Sequence, residues 1–353
     1  MCNTYKLIDK LAQDGILAKD EWITLINDDS PATSAYLFEK ARFYRHKYYG
    51  NTIYLRGLIE ISNYCKNDCL YCGIRKSNRH ACRYRLTKEE ILDCCQTGYE
   101  AGYRSFVLQG GEDAYFTDDR IVDIVRAIKT QYADCAVTLS IGEKSDASYQ
   151  RFWEAGVDRY LLRHETANET HYQKLHPATM TLQNRKRCLY TLKKIGFQTG
   201  CGFMVGSPFQ ETANLAEDML FMHELQPQMV GIGPFIPHDD TPFRDKNQGS
   251  FKRSLFMLGL VRVMMPKVLL PATTALATIA EEGQIQGILA GANVIMPNLS
   301  PISVRAKYQL YNHKKITGTE AAEYMEELKE RMRKIGYQIV CGRGDYIGTD
   351  REE

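Results

Sequence analysis

The chain has 353 residues, 45 of them Lys or Arg and 43 Asp or Glu. So close a balance gives no long-range field to attract nucleic acid or an anionic membrane, and points instead to a small-molecule or protein partner. No stretch approaches the roughly 18 uninterrupted apolar residues of a membrane span, so a soluble cytoplasmic protein is expected. Eleven cysteines, an odd number, do not fit the paired framework of a small secreted domain, and in a reducing compartment they suggest metal binding.

From Tyr5 to about Tyr49 the apolar residues fall at helical spacing, with turn signals at Asp28 to Pro31. Residues 1–50 therefore read as a helical extension. Eight short β-rich runs follow, at 58–63, 104–110, 136–142, 159–165, 199–206, 229–236, 268–274 and 293–298. Each gap has room for a helix and two loops, and amphipathic helices are expected at 87–101, 182–195 and 212–225. Such alternation predicts the α/β class with a parallel sheet, and eight units predict a complete (β/α)8 TIM-type barrel over residues 51–318. The stretch 319–353 reads as one helix and a polar tail.

Barrels of this kind place their chemistry at the C-terminal ends of the strands. Here those ends are polar, with Cys65, Gln109 to Glu112, Thr138, Ser140, Arg163, Glu165, Thr273, Thr274 and Asn298. After the first run comes Cys65-Lys-Asn-Asp-Cys69-Leu-Tyr-Cys72, three thiols on one loop. Thiolates are the soft ligands that iron-sulfur clusters favour, and three of them leave one iron of a [4Fe-4S] cube open for chemistry. The alternatives are a zinc site, or a cube completed by another cysteine such as Cys82.

This CxxxCxxC loop, with Tyr71 before its last cysteine, resembles the signature of the radical S-adenosylmethionine (SAM) family. The resemblance implies one [4Fe-4S] cluster on Cys65, Cys69 and Cys72, whose unique iron takes the amino and carboxylate groups of SAM. It also implies a SAM cradle made of Tyr71, Gln109, Gly110, Gly111, Glu112, Ser140, Glu165, Arg185 and Met204. Read from residues alone, Gly110-Gly111-Glu112 could be an ordinary turn, Arg185 part of a solvated basic helix face, and Gly202 to Gly206 a plain buried strand.

Three further strings are GIGPFIPHDDTPF at 231–243, PATTA at 271–275 and GANVIMPNLSP at 291–301. With VTLSIGE at 137–143 and RYLLRHETAN at 159–168, they resemble the HydE family, radical SAM maturases of [FeFe]-hydrogenase. That resemblance implies a long internal cavity with Thr138, Arg163, Thr273 and Thr274 as anion anchors, and with Met296, Tyr308 and Tyr311 lining or closing it. The implied activity is a step in assembling the 2Fe subcluster of the H-cluster. In that step a 5'-deoxyadenosyl radical is directed at the sulfur of a cysteine-bearing iron carbonyl-cyanide precursor. HydG and HydF maturases and an external electron donor are the implied partners. Only Cys341 lies near the C-terminus, so no second cluster is expected. The rival readings are a methylornithine synthase, a biotin synthase, and a non-catalytic carrier of an iron-sulfur precursor.

Overall fold

The computed structural model describes residues 3–316 and 321–348. In chain order the strands are β1 (Thr52–Leu55), β2 (Gly57–Ser62), β3 (Ser105–Gly110), β4 (Ala136–Ser140), β5 (Arg159–Leu161), β6 (Gln198–Cys201), β7 (Met204–Val205), β8 (Met229–Val230), β9 (Gly233–Pro234), β10 (Val294–Ile295) and β11 (Gln338–Val340). Six of them form a parallel sheet in the order β2-β3-β4-β5-β6-β8. Parallel bridges from Met229 to Leu269, Pro271 to Val294 and Leu58 to Asn298 carry the ladder round to β2. The run around Leu269 is thus the seventh stave and β10 onward the eighth, and the barrel expected from the sequence closes.

Two staves break part-way, into β6 and β7 and into β8 and β9. A Cβ at Gly202 would lie 1.9 Å from the carbonyl oxygen of Gly231, so neighbouring backbones touch where the ladder stops. The helices between staves follow local sequence. Thr87 accepts from the Glu90 amide at 3.2 Å while the Glu90 carboxylate accepts from the Thr87 amide at 2.7 Å, a reciprocal cap that starts the helix Lys88–Glu100. In the helix Asp118–Gln131, Ile121, Val122, Ile124, Val125 and Ile128 form one buried stripe against the staves. The helices Leu182–Ile195 and Thr212–Leu225 have the bounds read from the sequence.

Ahead of the barrel stand the helices Asn3–Asp14, Lys19–Asn27 and Pro31–Tyr49. Thr4 and Thr33 both donate to the Asp28 carboxylate, at 2.7 and 2.9 Å, fastening the turn before the third helix. Trp22, Leu25, Leu37 and Ala41 are buried, and their helices pack on Thr212–Leu225 and Phe251–Met264. No described helix is long and apolar enough to cross a membrane.

The end of the chain corrects the expectation of a polar tail. After the helix Ala321–Lys334, β11 pairs in parallel with β1. Asp345 then meets Arg159, a fully buried guanidinium that also bonds Ser105 and Gln198 where β3 and β6 begin. The tail therefore closes the floor of the barrel, because a cation inside it needs a carboxylate. Residues 317–320 and 349–353 lie outside the described residues.

Candidate functional site

The loop after β2 is held in shape by side chains that take up its backbone groups. Asn63 donates to the carbonyls of Cys82 and Lys307, at 2.9 and 2.7 Å, and accepts from the Tyr84 amide at 2.8 Å. The Arg83 guanidinium reaches four carbonyls, those of Asn63, Ile74, Arg75 and Asn78. Asp68 accepts from Arg75 at 2.7 Å and from the Ser77 amide at 3.0 Å. The loop is built as a rigid ring before any ligand is considered.

Cys65, Cys69 and Cys72 are free thiols on this ring, and all three face one cavity of about 300 Å³ at the C-terminal mouth of the barrel. Burial, with the neighbouring sulfurs adding to it, pushes the Cys72 thiol up to about 12 and raises that of Cys69 well above the ordinary thiol value. Three thiolates crowded in a buried loop require a strongly cationic centre. Among the described residues, no three His, Cys, Asp or Glu side chains converge on a single-ion position. Three thiols on one loop are the soft donor set of a cube, in which each sulfur takes a different iron.

The glycines after β3 allow close backbone approaches within the protein. A Cβ at Gly111 would fall 2.2 Å from the Tyr64 carbonyl oxygen and 2.8 Å from Cys65 Cβ, so Gly111 seats the thiol loop. Glu112 follows, its carboxylate 3.1 Å from Lys66 Nζ and accepting from the Glu143 amide at 3.1 Å. Gly142, at φ +81°, lets β4 turn directly over that carboxylate.

Arg185 is buried rather than on a solvated helix face. Its Nε lies 2.7 Å from Glu143 Oε1, and its Nη1 donates to the Arg163 carbonyl at 3.1 Å. Burial opposes its charge, but Tyr172, Glu143 and Glu112 outweigh burial and hold it protonated. Arg163 Nη2 sits 3.0 Å from Glu165 Oε2, an ion pair at a strand end whose two atoms make no aligned hydrogen bond among the described residues. Glu165 does this from a φ of +65°, a backbone conformation costing about 1–2 kcal/mol for a non-glycine residue.

The Tyr71 hydroxyl lies 3.2 Å from His176 Nε2, and His176 Nδ1 lies 3.0 Å from the Tyr172 carbonyl. A carbonyl only accepts, so Nδ1 carries the proton and Nε2 accepts from Tyr71. Burial pushes the imidazole down to about 3, so it stays neutral.

Tyr71, Gln109, Gly110, Gly111, Glu112, Ser140, Arg163, Glu165, Arg185, Met204, Tyr308 and Tyr311 all line the cavity with the three cysteines. Thr138 and Thr273 are not among the residues that line it; their buried hydroxyls have no hydrogen-bond partner among the described residues. Thr274 and Met296 line a smaller hollow of about 40 Å³, with Asn298 and Lys314. Glu143, Asn63, Arg83 and His176 were not singled out from sequence. Each matters through contacts made between distant segments, and no local motif carries that information.

Residues 59–222 match the Radical SAM superfamily. Over 275 residues the chain is 48% identical to the [FeFe] hydrogenase maturase subunit HydE of Thermotoga maritima, covering 78% of each chain. The chain belongs to the HydE family of radical SAM enzymes. The crystal structure of methylornithine synthase (PylB) has a TM-score of 0.81 at 27% identity, with 95% of this chain and 97% of that one covered. A crystal structure of HydG, a maturase of the [FeFe]-hydrogenase, gives 0.79 at 20% identity over 96% of this chain and 76% of that one, a likeness of fold alone. Membership of the HydE family implies a [4Fe-4S] cluster and SAM, and the residues fit both. Three unpaired thiols supply the soft donors, and Arg163 Nε, on a residue that lines the same cavity with Gln109, Glu112, Ser140, Glu165 and Arg185, is a buried donor without a hydrogen-bond partner among the described residues.

Proposed function

We propose that this HydE-family enzyme acts in assembly of the [FeFe]-hydrogenase H-cluster, on a precursor of the 2Fe subcluster. The observation that carries the reading is a single cavity faced by the three thiols at one side and by the Arg163–Glu165 pair at another. Cys65, Cys69 and Cys72 hold the cluster. Gln109 to Glu112 and Tyr71 take the amino end of SAM, Arg185 its carboxylate, Glu165 and Ser140 its ribose side, and Met204 its adenine. When bound, the cluster and SAM supply a 5'-deoxyadenosyl radical by reductive cleavage of the sulfonium.

The substrate is a cysteine-bearing iron carbonyl-cyanide complex, and its sulfur is the atom attacked. Arg163, with the unpartnered hydroxyls of Thr138 and Thr273, anchors its carboxylate, because charge-assisted bonds fix position as well as energy. Tyr308 and Tyr311 form the wall that excludes water, and Met296 lines the smaller hollow beside it. HydG- and HydF-type maturases stand before and after this step, and an external donor provides the electron.

Anaerobic reconstitution with iron and sulfide, reduction with dithionite and addition of SAM test the reading. Formation of 5'-deoxyadenosine and methionine, with hydrogenase activation dependent on this protein and the HydG product, is the expected result. Cluster-loaded protein that activates hydrogenase without cleaving SAM would identify a precursor carrier instead.

A further inference from the structure

Tyr308 and Tyr311 belong neither to a stave nor to a helix. They lie on the segment 306–316, which leaves the eighth stave and crosses the mouth of the barrel. Most of its attachments are hydrogen bonds. The Gly73 amide donates to the Leu310 carbonyl at 2.9 Å, the Asn312 amide to Pro237 at 3.0 Å, and the Lys315 amide to Thr278 Oγ1 at 3.0 Å. These ties reach the thiol loop, the loop after β9 and the helix Thr274–Ile279.

One attachment is of another kind. Lys314 turns inward and forms an ion pair with Glu60 on β2, whose side chain is fully buried while that of Lys314 is 7% exposed. Asn298 donates to the second Glu60 oxygen at 2.8 Å. Lys314 Nζ also donates to the Tyr308 carbonyl at 3.0 Å and lies 4.7 Å from the centre of the Tyr308 ring. The hydroxyl of that ring accepts from Gln109 at 3.4 Å, at the end of β3.

We propose that Glu60 and Lys314 are positioning residues whose ion pair latches segment 306–316 over the barrel mouth and sets Tyr308 and Tyr311 as its wall. The inference rests on the reading that this cavity is where the radical forms. A carbon radical at C5' takes hydrogen from any weak donor that reaches it, so a wall that drifts would let solvent-borne thiols end the reaction. Hydrogen bonds to backbone can re-form in a shifted register. A buried ion pair cannot, because each partner alone is an uncompensated charge, so the pair selects one arrangement of the strap.

The test uses reconstituted protein carrying Lys314→Met, Lys314→Arg or Glu60→Gln. In Lys314→Met and Glu60→Gln, amides of 306–316 exchange about tenfold faster or more, while those of the staves keep their protection. SAM cleavage with dithionite persists in both. In D2O with dithiothreitol, their 5'-deoxyadenosine carries several times more deuterium than that of the unaltered protein, a shift of the order expected when a local opening becomes common. In that quench the thiol S–D bond breaks, a C–D bond forms at C5', and a thiyl radical remains on dithiothreitol. Lys314→Arg, which keeps the charge, restores most of the protection. Exchange and label unchanged in both Lys314→Met and Glu60→Gln would overturn the latch, and so would protection lost evenly across the barrel. If the unaltered protein makes no 5'-deoxyadenosine, the functional reading fails, and the exchange measurement still decides the latch.

Discussion

At Gly111, one missing methyl group decides whether the thiol loop can sit. A Cβ there would press on the Tyr64 carbonyl, which is backbone and cannot swing aside. Gly111→Ala is expected to retain the barrel by circular dichroism but to load less than about half of the iron of the unaltered protein after reconstitution, since overpacking is relieved by moving the loop. His176 supports a prediction of another sort. Its folded pKa of about 3 lies below the ordinary 6.5, so the stability tied to its neutral form is complete above 6.5 and is lost as pH falls toward 3. Between pH 7 and 5 that loss amounts to about 2 kcal/mol. His176→Gln should flatten the acid slope of urea unfolding by that amount, and an unchanged slope would mean that the imidazole is not buried neutral. The cysteines were legible from sequence because a ligand loop is local. Glu60 and Lys314 were not, because 254 positions separate them and only closure of the barrel makes them a pair.

Among elements, the helices were easier to read than the staves. Leu182–Ile195 starts at the Thr181 cap, which accepts from the Asn184 amide at 3.2 Å, and stops at Gly196 with φ +112°. Both signals are visible in the chain. The stave expected at 199–206 was a single run by composition, yet it breaks at Gly202, where the Gly231 backbone of the next stave presses in. Strand composition records burial and alternation, not the approach of a neighbouring backbone. The same contact carries a consequence for stability. Gly202→Ala would set a methyl group against the Gly231 carbonyl at a φ of +150° that L side chains rarely adopt. It should destabilise the protein by about 3 kcal/mol, at the upper end of overpacking costs, as read from the urea midpoint. A loss under 1 kcal/mol would mean that β7 and β9 part easily.

At the scale of the molecule, the barrel is a tube with thiols at one end and a charged floor at the other, and the floor is finished by the last described residues. Arg159 is fully buried, and its one carboxylate contact among the described residues is Asp345 Oδ1 at 2.5 Å. Asp345 in turn accepts from Gln198 at 2.8 Å and lies 2.7 Å from Arg343, which reaches Asp158 at 2.7 Å. Burial alone would raise the Asp345 carboxyl, but Arg159 and Arg343 hold it well below the usual carboxylate range. The stability it provides is therefore complete above the unfolded value near 3.9 and is lost only as pH falls through the depressed folded value. Asp345→Asn leaves Arg159 buried without its carboxylate and should cost about 3 kcal/mol at pH 7, near the low end for a broken buried pair because a third of Asp345 meets solvent. Its effect should begin to shrink below pH 4, where the unfolded chain takes up a proton that the folded carboxylate still refuses, whereas the loss due to His176 already accumulates below pH 6.5. Urea midpoints for both variants at pH 7, 5 and 3.5 separate the two. An Asp345→Asn penalty that stayed constant across that range would mean that the floor is held by packing and by β11 pairing, not by the carboxylate.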